Sequence, residues 1–145
     1  MHVRNQIRDA VVALLTGLPE TGSRVYKARV YPLHQVQLPG LLVFTKEEDS
    51  QRLNQNGDLV RDLVILVQAY VRATAAMDDD IDQIAVECEE ALESDPTLSG
   101  LVKNYAGIGA TRISTGVQNE MPYGVGEFEF LYTYVTGRTD SQTAL

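Results

Sequence analysis

Residues 59–73, LVRDLVILVQAYVRA, constrain the fold more than any other segment. β-Branched and aliphatic residues alternate with period two, which predicts a strand. Leu63, Ile65, Val67, Ala69 and Val71 fall on one face. Asp62, Gln68 and Arg72 fall on the other, mixed with Val64, Leu66 and Tyr70. The centre is therefore apolar on both sides, as expected of a strand in the middle of a sheet. Arg61 and Asp62, at its start, are expected to be exposed.

Such a sheet needs cover. Two segments supply it at helical spacing. In residues 2–17, Val3, Ile7, Val11, Leu14 and Leu18 form a stripe, and Gly17 and Pro19 stop the helix. Arg4, Arg8 and Asp9 interrupt the apolar run, so an amphipathic helix is expected here and not a signal peptide. In Met77–Ser94 the stripe is Ile81, Ile84, Ala85, Cys88 and Leu92, with Asp78, Asp79 and Asp80 in the first turn, where the helix dipole favours negative charge. A short helical turn is expected over 97–104.

Further strands are predicted at 24–31, ended by Pro32, and at 41–47, entered through Pro39–Gly40. Two more follow, at Ile108–Val117 and Gly126–Thr136. In the last, Phe128, Phe130, Tyr132 and Tyr134 share a face, which suits a core or an interface. The polar stretch Glu47–Asp58 reads as a long hairpin tip turned by Asn56–Gly57–Asp58. Loops of that length are usually functional or disordered. The fold class is thus α+β: a mostly antiparallel sheet of about five strands with two main helices packed on one face. Residues 1–137 form a single domain, and 138–145 are expected to be a polar, disordered tail.

Charge and cysteine content narrow the function. A formal net charge of -8 argues against tight, sequence-independent DNA binding, which needs phosphate neutralisation by Lys and Arg. An acidic wall would instead let DNA slide past. The lone cysteine, Cys88, excludes an internal disulfide and suits a reducing compartment. No apolar segment approaches the length of a membrane span.

Each candidate for chemistry fails on a named requirement. Cys88 is flanked by Glu87, Glu89 and Glu90, whereas a reactive thiolate needs a positive, partly exposed setting. His2 and His34 lie in a terminus and a loop. Asp78, Asp80, Asp82 and Glu89 approach the spacing of a calcium loop, but Gln83 stands where the glycine of the sharp turn is required. Gly107, Gly109 and Gly116 make no phosphate-binding motif, and Gly124 and Gly126 lead into a strand. Lys27 and Arg29, with Tyr26 and Tyr31, form a small basic–aromatic patch better suited to a subunit contact than to nucleic acid at this net charge. No catalytic, metal or cofactor-binding residues are assigned. Lining of a small-ligand pocket by the Phe128–Tyr134 face is the alternative.

The order of elements resembles the tail terminator proteins of long-tailed, non-contractile phages, the lambda-type minor tail protein U family. The resemblance runs over residues 3–136. It rests on the helix before LPGLLVFT, the long strand RDLVILVQAYV, the acidic helix opening MDDDIDQIAVECEEAL, the DPTLSGLV that follows it, and the final strand FEFLYTYV. The resemblance implies a structural protein that forms a hexameric ring with itself. Such a ring caps the tail tube protein, stops its polymerisation and meets a head–tail connector protein. DNA passes through the opening without specific binding. The location implied is the virion, at the head-proximal end of the tail, after assembly in the host cytoplasm. Other head–tail connector or tail-completion proteins share this organisation. Ring contacts join two different patches of each subunit. Exposure and charge nominate Lys27, Arg29, Glu47, Glu48, Asp49, Arg52, Arg61 and Asp62 for them.

Overall fold

A computed structural model describes residues 1–27, 38–118 and 121–145. The elements run α1 (Val3–Leu15), β1 (Val25–Tyr26), β2 (Gly40–Arg52), β3 (Leu59–Arg72), α2 (Met77–Glu93), β4 (Asn104–Gln118), β5 (Met121–Gly137) and β6 (Asp140–Ala144). The sheet has the order β1-β2-β3-β5-β4, and β6 pairs with β5 beyond the end of β4. β1 runs parallel to β2, and all other pairs are antiparallel. The fold is α+β, and β3 is the middle strand of the sheet, as its two-sided apolar pattern requires. No helix among the described residues is long and apolar enough to cross a membrane.

Both helices cover the same face of the sheet. Val3, Ile7, Val11 and Leu15 of α1 and Ile81, Ile84, Cys88 and Leu92 of α2 form one core with Leu63, Ile65, Val67, Ala69 and Val71 of β3. Phe128, Phe130, Tyr132 and Tyr134 of β5 belong to the same core. Leu15, rather than Leu14 or Leu18, completes the stripe of α1: it is fully buried, while those two are partly exposed. The strict four-residue spacing from Val3 explains this, since it keeps one narrow line of the helix on the sheet. The His2 side chain caps α1, its Nδ1 accepting from the Arg4 amide at 3.0 Å.

The first turn of α2 lies close because β5 offers no side chain at Gly124 and Gly126. A Cβ on Gly124 would come within 2.2 Å of Met77 Sδ, and one on Gly126 within 2.5 Å of Ile81 Cγ2. Met77 is flexible, but Ile81 is branched and fully buried. Gly126→Ala is therefore expected to lower folding stability by about 1–3 kcal/mol through overpacking. Urea unfolding of the variant checks this.

Three expectations are corrected. Residues 47–52 are not a loop. β2 and β3 stay paired out to Arg52 and Leu59, so only Leu53–Asp58 form the tip. Polar residues serve both faces here because this end of the hairpin stands in solvent. The C-terminal tail is not disordered: residues 140–144 form β6, and Leu145 donates its amide to Val135 at 2.9 Å. Segment 97–104 is not a helical turn. Leu98 and Ser99 have φ of 51° and 58°, in the left-handed region that ends a helix, and Asp95 accepts from the Ser99 amide at 3.0 Å. Of the strand expected over 24–31, Val25–Tyr26 is present, and residues 28–31 lie outside the described residues.

Candidate assembly surface

The face of the sheet opposite the helices is built in two halves. Toward the Gly40 end, Leu38, Leu42, Tyr70 and Val125 form a small second core, with Tyr26, Phe44 and Tyr123 packed on it. The Tyr70 and Tyr123 rings lie 5.5 Å apart. Toward the middle, polar side chains cover the apolar ones. Lys46 of β2 pairs with Glu129 of β5, so its side chain must cross the intervening β3. Leu66, the β3 residue paired with Glu129, is only 5% exposed. The Lys46 stem thus shields apolar surface while its ammonium stays on a partner. That ammonium, with a smaller contribution from Arg112, holds the Glu129 carboxyl below its ordinary value. Arg112 of β4 reaches the same carboxylate at 3.8 Å, and Gln68 donates to Glu127 at 3.3 Å.

A bulge at Lys46 decides where the acidic arm of β2 points. Thr45 pairs with Ile65, but Glu47 pairs with Val64 and Glu48 with Leu63. The extra residue reverses the alternation. Glu47 and Asp49 therefore face away from the helices, and Glu48 turns beneath α1. There Glu48 accepts from Arg4 at 2.6 Å, from Arg61 at 3.2 Å and from the Tyr134 hydroxyl. Burial, and the carboxylate beside it, push the Tyr134 phenol up.

The residues nominated from sequence thus divide. Glu48 and Arg61 come together inside the subunit, and Arg61, with its side chain 13% exposed, is not the exposed residue expected. Its guanidinium also donates to Thr136 at 2.9 Å. Lys27 is exposed and pairs with Asp9 of α1. Glu47, Asp49, Arg52 and Asp62 are exposed, and Asp62 accepts from the Thr133 hydroxyl at 2.7 Å. Arg29 lies outside the described residues.

Two surface features went unnoticed in the sequence. The first is the edge of β4. Its segment Thr111–Gln118 carries one charge, Arg112, and no proline, and it holds Ile113 and Val117 at 45% and 69% exposure. Its apolar alternation is visible in the sequence, but only the topology makes it an edge. The second is the addition of Arg138, from the β5–β6 turn, to the hairpin tip that the sequence had already marked, where it joins Arg52. A Cβ on Gly57, whose φ is 85°, would lie within 2.7 Å of Arg138 Cδ, so the arginine stem crosses this glycine.

Cys88 is fully buried, and burial, with Glu87 and Glu89 beside it, pushes its thiol up to about 12. Among the described residues no group of three or more His, Cys, Asp or Glu could hold a metal ion. The aromatic row Phe128–Tyr134 is core: all four residues are at most 1% exposed beneath the helices.

No family model matches the chain, and no curated protein matches it. One similar solved structure is described as the virion of a native gene transfer agent particle. It is 20% identical, the match covers 91% of this chain and 92% of that chain, and the TM-score is 0.33. So loose a superposition assigns no role.

Proposed function

We propose that this chain is a structural subunit of a phage-type tail, a tail terminator that forms a ring on the end of the tail tube. One observation carries the reading: the β4 edge. A strand edge with a single charge and exposed apolar side chains is an aggregation hazard unless something covers it. Proteins usually blunt such an edge with lysine, proline or a bulge. Here the irregularities in β4 lie between Tyr105 and Thr111, before the regular segment begins. Thr111–Gln118 is therefore dressed for strand addition by a partner, which supplies backbone pairing along the edge and apolar contact on Ile113 and Val117. The resemblance of the element order to tail terminator proteins supports the tail tube as that partner.

The mechanism is steric. The ring occupies the growing end of the tube and removes the site for the next tube subunit. Its free side meets the head connector. A net charge of -8 keeps the opening from holding DNA. Purified protein should appear as rings with a central hole by electron microscopy, and should arrest elongation when added to growing tubes. The double variant Ile113→Asp/Val117→Asp should keep its circular dichroism spectrum and lose arrest, because both side chains are exposed. A protein that stays monomeric and leaves tube length unchanged would sink the proposal.

A further inference from the structure

The hairpin tip and a cleft at the opposite end of the same hairpin have complementary surfaces, and we infer that the tip of one copy docks in the cleft of the next. This rests on the ring reading above and names the contact that would close the ring.

At the tip, Leu53 is 53% exposed, a large apolar side chain held out in solvent. It follows Arg52, whose guanidinium is fixed by donating to the carbonyls of Asn54 at 3.0 Å and Gln55 at 2.9 Å. Arg138 lies across Gly57 on the same tip. No carboxylate among the described residues forms a salt bridge with either arginine. The turn itself is rigid. Asn54 donates to the Asp58 carboxylate at 2.9 Å and accepts from the Asp58 amide at 3.2 Å, and the Leu53 amide donates to the Asp58 carbonyl at 2.7 Å. The result is a preformed knob with one apolar side chain and two cations beside the single Asp58 carboxylate, in a chain that is strongly acidic overall.

The cleft has the converse character. About 320 Å³ in volume, it has an apolar floor of Leu38, Pro39, Val71 and Ile84 and carboxylates at Glu20 and Asp80. Arg72 is the cation of the lining, and Asp78 and Asp79 add exposed charge in the same turn of α2 as Asp80. Another acidic surface, Glu47, Asp49 and Asp62, lies on the flank of the hairpin itself.

Length makes the contact intermolecular. β2 has 13 residues, so about 40 Å separate its ends. The cleft lies at the Gly40 end, beside Pro39, and the tip lies beyond Arg52. A chain cannot fold its own rigid tip into its own cleft. A knob at one end and a socket at the other define a heterologous contact, which propagates from copy to copy and closes into a ring when the rotation allows. Charge on the two surfaces fixes the register.

Reversing the tip tests this in the full chain. Arg52→Glu/Arg138→Glu should keep the native circular dichroism spectrum and weaken self-association at least about a hundredfold by sedimentation, because like charges then face each other. Glu20→Arg/Asp80→Arg should do the same. Mixed in equal amounts, the two variants should assemble again into alternating rings, since every tip then meets a cleft of opposite charge. In addition, Leu53→Cys/Thr74→Cys should give a reducible ladder of multimers on mild oxidation. Wild-type rings together with unchanged association of both reversed variants would overturn the contact and leave the ring standing. A wild type that is monomeric at every concentration would overturn the ring itself. Failure of the mixture to reassemble would also overturn the contact.

Discussion

Replacing Glu48 with alanine is expected to lower folding stability by about 3–5 kcal/mol, the range for removing one partner of a buried ion pair. The carboxylate is 7% exposed and serves three donors from three elements: Arg4 of α1, Arg61 of β3 and Tyr134 of β5. Without it, among the described residues, the mostly buried Arg61 keeps only Thr136 as a hydrogen-bond acceptor, and the fully buried Tyr134 hydroxyl loses its acceptor. Arg4 is different. Its side chain is 37% exposed and water can replace the lost carboxylate, so Arg4→Ala should cost about 1 kcal/mol or less. Urea denaturation of both variants checks the ordering. Equal losses would mean that the network is only a surface pair. Replacing Glu48 and Arg61 together by leucine should cost less than the sum of the two single changes, because no charge is then left buried.

The same residue marks how far the sequence could be read. β3, α1 and α2 were legible because their apolar residues recur with the period of the element and bury on one core. The arms of the hairpin were not. Glu47–Arg52 is polar on both faces, one in solvent and the other turning only Glu48 beneath α1, so no hydrophobic alternation is left to read. β6 was illegible for the same reason, as DSQTA holds one apolar residue. Glu48 looked like the exposed tip of a loop because its burial depends on the bulge at Lys46. Plain alternation from Thr45 would have turned Glu48 to the open face; one extra residue puts it beneath α1. Arg61 follows from Glu48 and was missed with it. The β4 edge and the tip–cleft pair depend on which strands end the sheet and how long the hairpin is. Those are properties of topology that no local pattern carries.

Phe130→Ala should be about as costly as the loss of Glu48, about 3–5 kcal/mol, the range for truncating a buried aromatic side chain. Phe130 is fully buried in the central part of β5, paired with Ile65 of β3 on one side and Ile108 of β4 on the other. Both helices close over this face of the sheet, so the space left by the ring could be filled only by shifting them. Phe44, on the opposite face, is partly exposed, and water can enter where its ring was; Phe44→Ala should cost clearly less. Thermal and urea unfolding of the two variants measure the difference, and equal losses would contradict a main core on the helix side. The comparison also separates folding from assembly. Phe130→Ala should weaken ring formation only in proportion to the protein that unfolds, and lowering the temperature toward the point of maximum stability should restore it. Reversal of Arg52 and Arg138 should weaken association at least about a hundredfold while the unfolding midpoint of the isolated subunit stays where it was, because those side chains are exposed. A fall in both association and stability for the tip variant would mean that the hairpin belongs to the core of its own subunit, which its solvent-facing arms argue against.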